Sequence, residues 1–291
     1  MLFLTIGILC NVILLIIIKS FEKFKIPTLQ GIVVNYFVAG TTALLFTGVP
    51  FTLSEVVKAD FFPVSAMLGA LFICVFYLIS QTAQKINISV ATVANKMSVV
   101  VPVILAFMLY GDKITPLKII GIVLALASVY LTTKPNGTNS VRSGPLLLFP
   151  VLIFIGSGII DALVNYANKR LIHSPSEDGL FTAFGFFIAG TIGIFCLLYL
   201  FIFKKEKFVP RSILGGIALG IPNFFSLYFI LKALSSGVFE SSELYPIANV
   251  FILILSSLAG VVLFKEKLSK LNVLGIILSV LAIGMITIKL A

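Results

Sequence analysis

Four ionisable side chains stand inside, or at the edge of, long apolar runs of this sequence: Lys96, Asp161, Glu240 and Glu243. A charge in such a setting is costly. It is retained where it faces protein or water, pairs with an opposite charge, or exchanges a proton. Lys96 offers an ammonium that can hold an anionic group such as a carboxylate. Asp161 or Glu243 can balance that charge or exchange a proton. Glu240 lies nearer the end of its run, where an interfacial carboxylate is the simpler reading. Uncharged polar residues interrupt the same runs: Asn11, Asn35, Gln81, Asn95, Asn223 and Asn249, with Asn165 one helical turn beyond Asp161. Each can hydrogen-bond to a neighbouring helix or to a bound molecule. Tyr36, Tyr77, Tyr228 and Tyr245 can wall a pocket or simply pack. The candidate substrate-binding set is Lys96, Asn95, Asp161, Asn11, Asn35, Asn223, Glu243, Asn249 and Tyr228.

Other chemistry lacks its parts. The chain has no phosphate-cradling glycine loop, no His-Glu-x-x-His and one histidine, His173, in a loop beside Pro175. Cys10, Cys74 and Cys196 fall singly inside apolar runs, with no spacing for a metal or a disulfide. Neither catalysis, nor a metal, nor a cofactor is expected.

The elements that position these residues follow from composition. The chain of 291 residues is 59% hydrophobic and 11% charged, with a mean hydropathy of +1.17, whereas a soluble domain carries about a quarter charged residues. Such a chain cannot cover a water-facing surface, so lipid is its solvent. A spanning helix needs roughly 20 apolar residues, and the runs here are continuous rather than alternating, which favours helices over a barrel. The net charge of +10 sits mostly in short loops, where lysines anchor helix ends at headgroups; nucleic acid is not an expected partner. The first run, Leu2–Ile18, lacks a basic start and a small-residue cleavage site, so a retained helix is expected rather than a cleaved signal.

Ten apolar segments are expected, at about 2–19, 29–48, 62–83, 88–110, 116–133, 145–168, 180–203, 211–233, 238–264 and 270–289. The turn-rich stretch Lys134–Pro145 divides them five and five. The halves resemble one another. A shift of 154 positions takes Asn95 to Asn249, Asp112 to Glu266, Lys113 to Lys267, Thr115 to Ser269 and Gly121 to Gly275. A shift of 150 takes Phe37 and Gly40 to Phe187 and Gly190, and one of 151 takes Gly69 and Tyr77 to Gly220 and Tyr228. An odd number of spans per copy makes the repeats inverted, an architecture that supports alternating access around a site near the bilayer midplane. The expected fold is an all-α integral membrane protein of ten transmembrane helices in two inverted five-helix repeats, 1–134 and 145–291, joined by a linker at 135–144. Small-residue pairs, Gly216/Gly220 above all, mark close helix crossings, with local packing the simpler reading and a homodimer the other. The acid–lysine pairs Asp112/Lys113 and Glu266/Lys267 fall at helix ends, where a solvated, capping role is expected.

Gly-Asp-Lys-Ile-Thr at 111–115 and Lys-Glu-Lys-Leu-Ser at 265–269, each followed by a glycine at 121 or 275, resemble the landmark of the drug/metabolite transporter superfamily, EamA-like branch. Pro102 and Pro246 correspond to that family's proline in the fourth helix of each repeat. The chain departs from the pattern at Asp112, where glutamate is usual, at Lys265, where glycine is usual, at Asn35-Tyr36, where arginine precedes an aromatic in many members, and in having no tryptophan. The resemblance implies a secondary carrier of small metabolites, often an amino-acid exporter, with both termini in the cytoplasm. Loop charge points the other way, because the loops after the odd-numbered segments are richer in Lys and Arg. The expected function is a plasma-membrane exporter of a small metabolite working by alternating access, with proton coupling open and a small-molecule substrate and the bilayer as its partners. A multidrug exporter and a non-transporting scaffold or sensor stay as alternatives, and both monomer and homodimer stay open.

Overall fold

A computed structural model of the chain describes residues 1–48, 50–101, 104, 116–133, 145–235 and 241–287, and these are helical with short connections. The helices are α1 (Leu2–Lys23), α2 (Thr28–Thr47), α3 (Leu53–Lys58), α4 (Phe62–Lys85), α5 (Ile88–Met97), α6 (Pro116–Thr133), α7 (Leu148–Arg170), α8 (Pro175–Phe203), α9 (Arg211–Ser235), α10 (Ser241–Phe264) and α11 (Lys270–Thr287). No strand occurs among the described residues.

Two differences from the apolar runs have local causes. α3 occupies a connection. Thr52 and Glu55 form a reciprocal capping box that starts it. α8 begins at Pro175 rather than near 180, so the stretch read as a break at His173–Gly179 is largely helix. Ser174 Oγ accepts the Glu177 N–H at 3.2 Å, Pro175 takes the first position, and Glu177 and Asp178 face the positive end of the helix dipole. Among the described residues six helices, rather than ten, are long and apolar enough to cross a bilayer: α1, α2, α4, α8, α9 and α10. α6, α7 and α11 hold shorter apolar stretches. The fourth run begins as α5, of 10 residues, and most of its second half, with Pro102 and the Asp112/Lys113 turn, lies outside the described residues.

The chain divides into two compact units, each drawing on both sides of the linker. The first comprises Met1–Lys19, Leu78–Ile159 and Ser226–Ala291. Its core joins Val93, Met97 and Val100 to Ala125 and Val129 of α6, Leu253 of α10 and Ala282, Ile283 and Ile286 of α11. A second cluster packs Leu4 and Ile8 of α1 against Ala233, Ala248 and Ile252. α6 and α11 run antiparallel and meet at two glycines. A Cβ at Gly121 would lie 2.7 Å from Ile286 Cγ1 and 3.1 Å from Ile286 N, and one at Gly275 would lie 2.7 Å from Thr132 Cγ2 and 3.1 Å from Thr132 N. The 154-residue shift takes Gly121 to Gly275 and Thr132 to Ile286, so each contact is the image of the other.

The second unit comprises Ser20–Tyr77 and Ile160–Phe225. Its core contains Val56, Phe61, Leu68, Ala167, Phe181 and Phe184. α2 and α8 are antiparallel and again reciprocal: a Cβ at Gly40 would meet the Phe187 ring at 3.0 Å, and one at Gly190 the Phe37 ring at 2.8 Å. The 150-residue shift exchanges these two contacts. The pair Gly216/Gly220 packs inside the unit, with Gly216 under Val34 and Gly220 against the Asn35 carbonyl and Val38. Small residues let backbones approach where lipid gives no hydrophobic drive between helices. The outward faces stay apolar: on α6, Ile119, Ile120, Val123, Leu126 and Tyr130 are all exposed. That stripe suits lipid contact rather than water.

Candidate functional site

The polar residues of the first unit gather along α5. Asn87 Oδ1 accepts the Val90 N–H at 2.7 Å, which caps the helix. One turn on, Thr92 Oγ1 donates to the Ile88 carbonyl at 3.0 Å and accepts from Ser256 Oγ at 3.0 Å. At the next turn Asn95 Nδ2 donates to Ser157 Oγ at 2.9 Å, and Ser98 Oγ donates to the Asn95 carbonyl at 2.6 Å. Lys96 follows, partly buried. α5 therefore carries a polar seam through an apolar bundle, with Asn95 and Lys96 at its inner end. Ser157 was not singled out in the sequence. A serine between Gly156 and Gly158 within an apolar run was the signal available.

The other candidates of this unit are Asn11, Asn249 and Tyr228. Asn11 is partly buried, and its Nδ2 donates to the Gly7 carbonyl at 3.0 Å. Asn249 is partly buried on α10, next to the core residue Ala248. The Tyr228 hydroxyl accepts from Lys232 Nζ at 3.1 Å, and the same ammonium lies 5.0 Å from the Phe3 ring centroid. That cluster has the make-up of an aromatic and lysine anchor near helix ends. Glu243, Asn165 and Tyr245 have side chains outside the described residues, and Glu240 lies outside them altogether.

In the second unit Asn35 and Asn223 come together, as Asn223 Nδ2 donates to Asn35 Oδ1 at 3.1 Å. Asn35 is 0% exposed, and its own Nδ2 has no hydrogen-bond partner among the described residues. Beside it the buried Tyr36 hydroxyl donates to the Phe72 carbonyl at 2.7 Å and its ring packs on Phe76 and Phe186, a structural position rather than a pocket wall. Asp161 is exposed although it lies in the interior of α7. A carboxylate at that depth is tolerated where water reaches it. Lys96 belongs to the first unit and Asp161 to the second, and their pairing stands as an expectation.

The structure corrects the reading of Glu266. It is not a solvated cap of its own helix. Its side chain is 7% exposed, both carboxylate oxygens accept the Ile88 N–H, at 3.0 and 3.2 Å, and Lys19 Nζ lies 3.6 Å away. Glu266 thus caps α5, in the other half of the sequence.

Residues 1–134 match the model of the EamA-like transporter family. A protein of Haemophilus influenzae, itself uncharacterised, is 31% identical over 284 residues, covering 95% of this chain and 94% of its own length. The chain belongs to the EamA-like transporter family. As an EamA-like protein it is a multi-pass membrane transporter of the drug/metabolite type, and a small-molecule substrate and membrane lipid are its partners. A crystal structure of a protein at 14% identity, with a TM-score of 0.58, covers 96% of this chain and 95% of its own and shares the fold. In this EamA-like chain Lys265 stands at the position of the landmark's usual glycine with φ +53°, a conformation that glycine adopts freely and other residues rarely.

Proposed function

We propose that this EamA-like transporter is a plasma-membrane secondary carrier that exports a small carboxylate-bearing metabolite, such as an amino acid, by alternating access. Residues 1–134 and 145–291 are its two inverted repeats of five helices each. Lys96 and Asn95 hold the substrate's carboxylate, and Asp161 or Glu243 exchanges a proton during the cycle. The observation that carries this reading is the reciprocity of the glycine contacts. Gly121 and Gly275 in one unit, and Gly40 and Gly190 in the other, make contacts that the sequence repeat interchanges between antiparallel helices. A two-fold axis lying across antiparallel helices produces such pairs, and inverted repeats are the frame on which alternating access is built.

Purified protein in liposomes tests the reading. Each proteinogenic L-amino acid is supplied as a gradient in turn, and the expected result is dissipation of at least one gradient, with a rate that responds to a pH step. If none is dissipated, the amino-acid carrier reading fails, and resistance to toxic compounds on overexpression would point to drug export instead. Lys96→Met is expected to reduce transport by roughly tenfold or more, since a hydrogen bond to a charged group contributes about 1.5–3 kcal/mol. Full transport by Lys96→Met removes Lys96 from the site.

A further inference from the structure

The carboxylate of Glu266 is engaged from several elements of the first unit. It lies in the connection between α10 and α11, its backbone N–H closing the end of α10 on the Gly260 carbonyl at 3.1 Å. Its side chain folds back over Gly260, where any Cβ would collide with Oε2. From there it takes the Ile88 N–H with both oxygens and the Lys19 ammonium at 3.6 Å. Lys19 Nζ also donates to the Gln84 carbonyl at 2.9 Å, and Gln84 Nε2 donates to the Ile18 carbonyl at 2.9 Å. The ends of α1 and α4, the start of α5 and the α10–α11 connection are tied through one carboxylate.

The consequence falls on α5. This helix has only 10 residues, about 15 Å at 1.5 Å per residue. Near its inner end Asn95 is fixed to Ser157. At its outer end the first amide, Ile88 N–H, is held by Glu266, while Asn87 holds Val90 N–H. Release of Ile88 removes one of the contacts that hold the start of α5, two turns before Asn95 and Lys96.

We propose that Glu266 is a positioning residue for transport, which acts by anchoring the start of α5 and so setting the place of Asn95 and Lys96. The proposal rests on the reading of those two residues as substrate-binding. Lys19 neutralises the buried carboxylate and also holds the Gln84 carbonyl; in its absence α1 and α4 stay joined by the Gln84 Nε2 bond to the Ile18 carbonyl. The anchor crosses the sequence repeat, since Lys19 and Ile88 belong to one half and Glu266 to the other.

The experiment uses the full-length protein in nanodiscs and liposomes, with Glu266→Ala, Glu266→Gln/Lys19→Met and Lys96→Met beside the wild type. Hydrogen–deuterium exchange is followed across 86–97 and, as a reference, across α8. Uptake of the L-amino acid transported fastest in the panel gives KM and maximal rate. Glu266→Ala is expected to speed exchange at the start of α5 while α8 stays protected, and to raise KM several-fold more than it lowers the maximal rate. The double variant keeps a neutral acceptor for Ile88 N–H without a buried charge, and is expected to recover both protection and KM. Unchanged exchange and KM in Glu266→Ala overturn the proposal. So does loosening spread equally over α5 and α8, or a double variant no better than Glu266→Ala. Wild-type transport by Lys96→Met defeats the substrate reading while leaving the α5 exchange result standing. If no amino acid is transported, the functional reading fails and exchange alone decides whether Glu266 anchors α5.

Discussion

Asn35 is fully buried and shares one hydrogen bond with Asn223. Its own Nδ2 has no hydrogen-bond partner among the described residues, so the Asn35 amide is held by that bond at its oxygen. Removing Asn223 alone strands the whole Asn35 amide. Asn223→Ala is expected to destabilise the protein by about 1–3 kcal/mol, the cost of a buried polar group left unpaired. Asn35→Leu/Asn223→Leu replaces both by apolar groups and is expected to recover most of that loss. Melting of the purified variants in one detergent measures both, and a double variant less stable than Asn223→Ala would show that the amides contribute more than their mutual bond. The two asparagines were legible in the sequence as polar interruptions of apolar runs, but their partnership was not, because they lie 188 positions apart. Glu266 was misread for a related reason. An acid beside a lysine at a helix end looks solvated until the fold brings the start of another helix to it. The turn carries the family landmark, and its physical role, a cap delivered to α5, is visible only in three dimensions.

The helix pairs carry the symmetry. Gly121 and Gly275 meet nearly identical surroundings, a side-chain carbon at 2.7 Å and a backbone nitrogen at 3.1 Å. Neither neighbouring backbone can yield without parting α6 from α11. Gly121→Val and Gly275→Val are each expected to cost about 1–3 kcal/mol, as overpacking does, and by similar amounts. Thermal melting checks the values, and a large effect at one position with none at the other would break the equivalence of the pair. The near-constant offset was legible because small residues and turn chemistry recur in both halves. Helix starts were less so. Thr52 and Ser174 begin helices through side-chain caps inside polar stretches, where a search for apolar runs sees only a break. α6, at Pro116–Thr133, coincides with the apolar run at 116–133, and α11 begins at Lys270 where its run begins.

Composition alone pointed to lipid; the way each unit draws helices from both halves was hidden, since it depends on which helices touch. The second unit fixes the loop arrangement. Gln30, at the start of α2, donates to the Lys207 carbonyl at 3.0 Å and accepts the Val209 N–H at 2.9 Å, so the connections around Phe24 and Phe208 share one membrane face. At the opposite end of the antiparallel pair Thr47 packs on Gly179, which sets the connections around Phe51 and His173 on the other face. Single cysteines are introduced at these four positions after replacement of Cys10, Cys74 and Cys196, and are labelled in intact cells and in inverted vesicles with an impermeant maleimide. Phe24→Cys and Phe208→Cys are expected to label from one side, and Phe51→Cys and His173→Cys from the other. Mixed labelling within either pair would overturn the antiparallel arrangement of α2 and α8. The same experiment resolves the conflict over orientation. Lys23, Lys25, Lys204, Lys205, Lys207 and Arg211 flank the first face, so labelling of Phe24 and Phe208 from the cytoplasm means that loop charge sets the topology. Labelling from outside means that the N-terminus of this EamA-like chain is cytoplasmic, against its own loop charge.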